Sequence, residues 1–251
     1  MLRTFSVEGI VLLTDRFGEI HKRVTLFTGG RGILSAVAHG ALKPAGKLKS
    51  LTELFVRGRF YLYRDPVKEN MKITDAECLN AHPRLRTSLA RFYAASLFSE
   101  ILLKSHGGGE ASRSLYRLLC EVLVLLDTNA EGDVIYLVLQ FILRFLHATG
   151  GDPGGGECAL CGRTIADSES AWLGRRGPGY TCAGCRRDGA LEFSAGAKAY
   201  YARSLQVTPE EALRLRLSAQ ALNGLKTLLY VSVQDAVERE LNTLAASQGI
   251  L

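Results

Sequence analysis

Apolar positions in the first eighty residues fall in short runs bounded by turn formers, the pattern of strands and not of helices. Five runs, Phe5–Leu13, Glu19–Thr28, Gly32–His39, Leu51–Arg64 and Asn70–Leu79, are rich in Val, Ile, Thr and aromatic residues. Turn formers separate them: Asp15-Arg16-Phe17-Gly18, Gly29-Gly30-Arg31-Gly32 and Lys43-Pro44-Ala45-Gly46. Five such strands with no helical pattern between them predict a small barrel, and the OB-fold is the common five-stranded solution. At His82-Pro83 the period changes to helical. One helix is predicted from there to about Lys104, a second over Ser112–Leu126 and a third from Glu131 to Ala148. Val134 to Leu139 is apolar nearly all round, which marks the central helix of a bundle. Glycine then dominates Thr149–Glu157, a linker, and helical spacing resumes after Phe193. Segments near Ala195–Leu205, Pro209–Leu229 and Val233–Ala246 follow. The predicted class is α+β and multidomain. Residues 1–80 form the barrel, 81–150 the first part of a helical domain, 151–192 a cysteine module with its linker, and 193–251 the second helical part.

Composition narrows the function classes. With 47% apolar and 22% charged residues, the chain is ordinary globular protein, and wholesale disorder is excluded. The charge is uneven. Residues 1–64 carry 11 Lys and Arg against 4 Asp and Glu, while residues 65–251 carry 20 against 21. A basic barrel on a neutral body is an electrostatic surface for a polyanion, nucleic acid first among candidates. On the strand from Phe55 to Tyr63, alternation puts Val56, Gly58, Phe60 and Leu62 on a core face. Phe55, Arg57, Arg59, Tyr61 and Tyr63 fall on the other, where guanidinium groups and rings together suit a single strand's phosphates and bases. An outer wall decorated with tyrosines, or a face covered by the helical domain, would give the same pattern. Lys22, Arg23, Arg31, Lys43, Lys47 and Lys49 add charge in the second strand and the loops.

The strongest local signal is Cys158-x2-Cys161-x20-Cys182-x2-Cys185. Two CxxC knuckles at this separation form a tetrahedral thiolate cage, the usual arrangement for one structural zinc ion. Four thiolates leave no open position for an activated water. Arg175 and Arg176, between the knuckles, are candidates for phosphate contact or a solvated tip. Cys78 and Cys120, alone in apolar stretches, are expected to be core residues. Met1 begins no leader pattern, and Val134–Leu146 is too short to span a bilayer, so a soluble protein of a reducing compartment is expected. The five histidines form neither HExxH nor the deaminase pattern, and Gly40–Leu48 fails as a phosphate loop because Leu48 stands where Ser or Thr is needed. The chain is therefore expected not to be an enzyme.

Three runs carry a family resemblance. They are Val7-Glu8-Gly9-Ile10-Val11-Leu12, then Phe17-Gly18-Glu19 with Arg23-Val24-Thr25-Leu26-Phe27-Thr28, then Gly32 to Ala38 with Gly40-Ala41. With the glycine linker and Cys158-x2-Cys161-Gly162, their order along the chain resembles bacterial recombination mediators of the RecO family. The chain departs from that pattern at His39, where Lys is usual, and at Phe17, where Tyr is common. The resemblance implies a cytoplasmic DNA repair protein with an OB-fold, no catalytic site, no membrane and no small-molecule substrate. It implies binding of single- and double-stranded DNA, ATP-free annealing of complementary strands, and partnership with RecR and single-strand binding protein, acting indirectly on the RecA filament. The residues alone state a basic barrel, a zinc module and a helical body; on them, an RNA-binding factor of the translation apparatus stays open.

Overall fold

The computed structural model describes residues 3–66, 70–107, 109–151, 156–174 and 179–251. Five strands, β1 (Thr4–Phe17), β2 (His21–Thr28), β3 (Gly32–Ala38), β4 (Arg57–Arg64) and β5 (Met71–Asn80), close a barrel in the order β1-β2-β3-β5-β4. This is the OB-fold order. β1 is the longest strand because it pairs along both edges. Thr4–Ile10 lies antiparallel to β4, and Gly9–Phe17 antiparallel to β2, with a bulge between Val11 and Leu13. The extra residue bends the strand, which is how one chain segment serves two neighbours in a closed sheet. β3 meets β5 in parallel over Val37↔Lys72 and Ala38↔Ile73. Inward residues Val11, Val24, Leu26, Phe60, Leu62 and Ile73 are almost wholly buried and fill the barrel; each contributes on the order of 1.5–3 kcal/mol. Gly58 is required where β4 crosses β5, since a Cβ there would come 2.8 Å from the Glu77 carbonyl oxygen.

The fourth strand starts later than alternation implies. Ser50–Thr52 forms a 3-10 turn, with the Thr52 hydroxyl donating to the Leu48 carbonyl at 2.7 Å. Phe55 is left-handed at φ 68°, its N–H bonded to Val11 O at 2.8 Å. That turn breaks the alternation, so Phe55 does not join Arg57 and Arg59 outside. Its ring is buried and packs edge-on against Phe92.

Two compact units divide the chain: Met1–Val134 with Leu241–Leu251, and Ile135–Glu240. In the first, Pro83–Arg86 is a 3-10 turn, not the start of the helix; α1 (Leu89–Lys104) begins after its N-cap Ser88. α2 (Ser112–Thr128) follows. α3 (Val134–Ala148) opens the second unit, which also holds a three-stranded sheet of β6 (Ala171–Leu173), β7 (Tyr180–Thr181) and β8 (Leu191–Phe193). α4 (Ala195–Leu205) stands as its periodicity predicts. The predicted helix Pro209–Leu229 is two: α5 (Pro209–Ala212), with a Thr208–Glu211 capping box, and α6 (Ala219–Val237), capped by Ser218. Tertiary bonds flank α5 on both sides. Arg144 donates to Ser204 O and Val207 O at 2.6 Å each, and Tyr136 Oη accepts from Leu217 N. Gln140 is likewise buried, donating to Tyr200 Oη at 2.7 Å. The two polar interruptions of the apolar α3 sequence are thus its ties to the α4 region. α6 ends at Val237, and α7 (Asn242–Ala246) returns to the first unit, where Glu100 accepts from Asn242 N and Thr243 N at 2.8 Å each. No helix among the described residues is long and apolar enough to cross a membrane.

His82 is fully buried in left-handed backbone, its Nδ1 2.8 Å from Phe55 O and its Nε2 without a partner among the described residues. Burial lowers its pKa, outweighing the bond to Phe55 and the charge of Asp127. The folded state therefore resists protonation that the unfolded chain accepts, and stability falls as pH drops below about 6.5. Urea unfolding between about pH 7.5 and 5.5 should show that loss. His82→Asn, which tolerates the backbone, should flatten it; an equally steep profile in the variant would assign the loss to other groups.

Candidate nucleic-acid face and metal centre

The cysteine knuckles are built by short backbone bonds. Cys158 N donates to Arg163 O at 2.8 Å and Gly162 N to Cys158 O at 2.9 Å, with Gly162 at φ 70°, which glycine adopts without strain. In the second knuckle Cys185 N donates to Cys182 O at 3.0 Å across a 3-10 turn. Ala159 N, bonded to Tyr180 O at 2.8 Å, draws the knuckles together. All four sulfurs lie within 4.8 Å of one another, Cys161 and Cys182 at 3.9 Å. A tetrahedral thiolate site with metal–sulfur bonds of about 2.3 Å needs sulfurs roughly 3.8 Å apart, so the donor set fits one ion. Backbone N–H groups of Cys182, Cys161 and Leu160 hold the Cys158 thiol down to about 6, favouring the thiolate a metal binds. The Cys185 thiol is pushed up to about 12 by its bonds to Cys161 and Cys182. Around the cage, buried Lys198 of α4 donates to Ala166 O and Glu169 O, and Arg163 pairs with Glu169 at 3.0 Å. Arg175 and Arg176 lie outside the described residues.

On the barrel, the predicted cations divide by their partners. Lys22 is buried and bound to Glu53 at 2.8 Å, which removes it from the surface set. Lys47 pairs with Asp75 at 2.8 Å. Strand register sets Glu8, Arg59 and Glu77 side by side across β1, β4 and β5. Arg59 bonds Glu8 at 3.0 Å, and Arg57 reaches the same carboxylate at 3.5 Å. The Tyr61 hydroxyl donates to Glu77 at 2.7 Å, which holds that phenol above its ordinary range. Tyr63 is half-buried, opposite Thr4 and Lys72. The face that alternation singles out is therefore balanced by acids, because the Glu partners arrive from strands far away in sequence.

Other cations lack an acidic partner among the described residues. Arg23 lies over the Phe17 ring at 5.0 Å, and Arg31 over Phe5 at 4.5 Å. Lys43 and Lys49 stand in the loop after β3, outside the ion pairs formed by Lys22 and Lys47. Beside the two-residue β3/β5 seam is a groove of about 460 Å³ whose lining includes Phe17, Arg23, His39, Met71 and Lys72, with one acid, Asp65, among them. His39 meets His21 edge to face at 4.6 Å, and His21 Nδ1 accepts from Gly40 N at 2.9 Å. Burial lowers the His39 pKa, and the neighbouring His21 and Lys72 push the same way. The groove thus combines a flat ring with fixed positive charge, the elements that hold one nucleotide of a strand. Phe17, His39 and Lys72 are absent from the sequence-predicted site. Phe17 and His39 stand out in the sequence as departures from the family pattern, while Lys72 gives no signal.

Residues 1–82 match the family described as Recombination protein O N terminal, and residues 86–245 the one described as Recombination protein O C terminal. The chain belongs to the recombination protein O family. A protein of Desulforudis audaxviator named DNA repair protein RecO is 30% identical over 97% of this chain and 96% of its own length. One of Synechococcus elongatus with the same name is 28% identical over 100% and 97%. One of Synechocystis sp. is 35% identical over 66% of this chain, and the match spans 61% of that relative's length. In this RecO-family chain, the runs that carry the resemblance are the bulged β1, the β1–β2 hairpin and β3, the strands that frame the groove.

Cys158→Ser should abolish binding of one metal ion per chain and lower the unfolding midpoint by roughly 10 °C, because a structural metal supplies several kcal/mol of folding energy. Metal analysis with calorimetry checks this; unchanged stoichiometry in the variant would assign the ion to other ligands.

Proposed function

We propose that this chain, a member of the recombination protein O family and so a participant in DNA repair and recombination, is a non-catalytic DNA-binding mediator. The barrel binds single and double strands and brings complementary strands together without ATP. The observation that carries this reading is the groove where Phe17, Arg23, His39 and Lys72 stand together on the barrel wall. Cations there neutralise phosphate and release counterions, so affinity falls steeply with salt. A base stacks on Phe17 with little regard to sequence. Screening the repulsion between two strands is sufficient to accelerate their pairing, and no nucleotide hydrolysis enters. The four-cysteine cage holds one zinc ion, whose thiolate set keeps its module folded and leaves no site for chemistry. On this reading the bacterial protein works in the cytoplasm. It acts with RecR on strands coated by single-strand binding protein and so prepares them for RecA.

Two measurements test the reading. Complementary oligonucleotides should anneal faster with the protein than without it, in the absence of ATP, and the acceleration should fade across a salt series. No acceleration at low salt, with the metal site loaded, would remove annealing from the function. Arg23→Ala with Lys72→Ala should weaken binding to a single oligonucleotide and reduce the log–log salt slope by about 1 for each phosphate no longer neutralised. An unchanged slope would move the strand off this groove.

A further inference from the structure

The ion pairs on the outer wall of the barrel form a row. Glu8, Arg59 and Glu77 are direct cross-strand neighbours, acid, cation, acid, on β1, β4 and β5. Arg59 Nη2 is 3.0 Å from Glu8 Oε1, while its Nη1 stands 3.8 Å from Glu77 Oε2. Arg57 reaches Glu8 Oε2 only at 3.5 Å, and its buried Nε has no hydrogen-bond partner among the described residues. All four side chains are between 34% and 55% exposed. Tyr61 lies in the same patch with its hydroxyl bonded to Glu77.

A guanidinium fork accepts a carboxylate or a phosphate in the same geometry. Here two forks share the Glu8 carboxylate, and only the 3.0 Å bond from Arg59 has ordinary hydrogen-bond length. Exposed pairs of this kind are weak and screened by salt, so a polyanion that offers several phosphates at once can displace them. We propose that this row is a second strand-binding site, in which Glu8 and Glu77 stand where phosphates of a second nucleic-acid strand come to lie. The inference rests on the reading that a first strand occupies the groove at Arg23 and Lys72. It is a separate place: Arg59 pairs opposite Glu8 and Arg23 opposite Asp15, positions about 23 Å apart along β1 at 3.3 Å per residue. Displacing Glu77 also releases the Tyr61 hydroxyl and leaves its ring beside the strand. The carboxylates set a threshold, since a strand must bring enough phosphates to replace both, and isolated anions do not.

Two oligothymidylates carrying donor and acceptor dyes cannot pair with each other, so energy transfer between them reports two strands on one protein. Anisotropy of one labelled strand reports first-site binding alone. Glu8→Gln with Glu77→Gln keeps the side-chain shapes; it should bring half-maximal transfer to a strand concentration roughly three- to tenfold lower, with first-strand binding unchanged. Arg59→Ala, folded by circular dichroism, should keep first-strand binding and abolish transfer. A transfer midpoint unmoved by the glutamine pair, or full transfer in Arg59→Ala, would overturn the second site. Absence of any strand binding in the parent protein at low salt would overturn the mediator reading, and the second site with it.

Discussion

Closure of the barrel by β1 constrains what stands on its surface. One strand must satisfy hydrogen bonds along both edges, β4 over Thr4–Ile10 and β2 over Gly9–Phe17, and it does so by bending at the Val11–Leu13 bulge. That geometry decides which outward side chains become neighbours. It brings Glu8 beside Arg59, some fifty positions away in the chain. It also carries Phe17 to the end of the strand, where Arg23 covers its ring. On the far side, β3 and β5 pair over two residues, so the wall there carries the groove at His39 and Lys72.

The electrostatic character of the barrel differs from its charge count. Cations are plentiful in residues 1–64, yet Lys22 is buried against Glu53 and Lys47 is held by Asp75. Arg57 and Arg59 share Glu8. A cation already paired has less to offer a phosphate than one lying over a ring, as Arg23 does, because an ion pair must be broken before the new one forms. The wall thus has an open side and a clasped side, and the difference comes from register.

The cysteine module obeys a different constraint. Its strands are two or three residues long, too short to bury a core of their own. The Lys198 clamp on Ala166 and Glu169 and the packing of Tyr180 and Tyr201 on Phe193 hold it, with four sulfurs gathered within 4.8 Å for one ion. In the same unit, Gln140 and Arg144 show how polar side chains in an apolar helix become structural. Each binds a group presented by the segment 200–207, and leaving either unpaired would cost its full desolvation.

Local patterns set by the sequence itself are visible in the sequence. Five strands, the helices from α1 to α4 and the two CxxC pairs follow from composition, side-chain period and spacing, since each depends on residues near one another in the chain. Element edges are less legible where tertiary bonds override periodicity. The left-handed Phe55 shortens β4, and the Tyr136 hydroxyl, accepting from Leu217 N, lies at the break between α5 and α6. The site is legible only as a stock of cations. Alternation names Arg57, Arg59 and Tyr61, but Glu8 and Glu77 that bind them come from other strands. Lys72 and His39 join the groove without any sequence signal that they meet Phe17 there. Sequence by itself determined the elements, the two CxxC pairs and the supply of charge, because those are local. Only the tertiary structure decided which charges remain open to a phosphate, because a long-range pairing of strands chooses each side chain's partner.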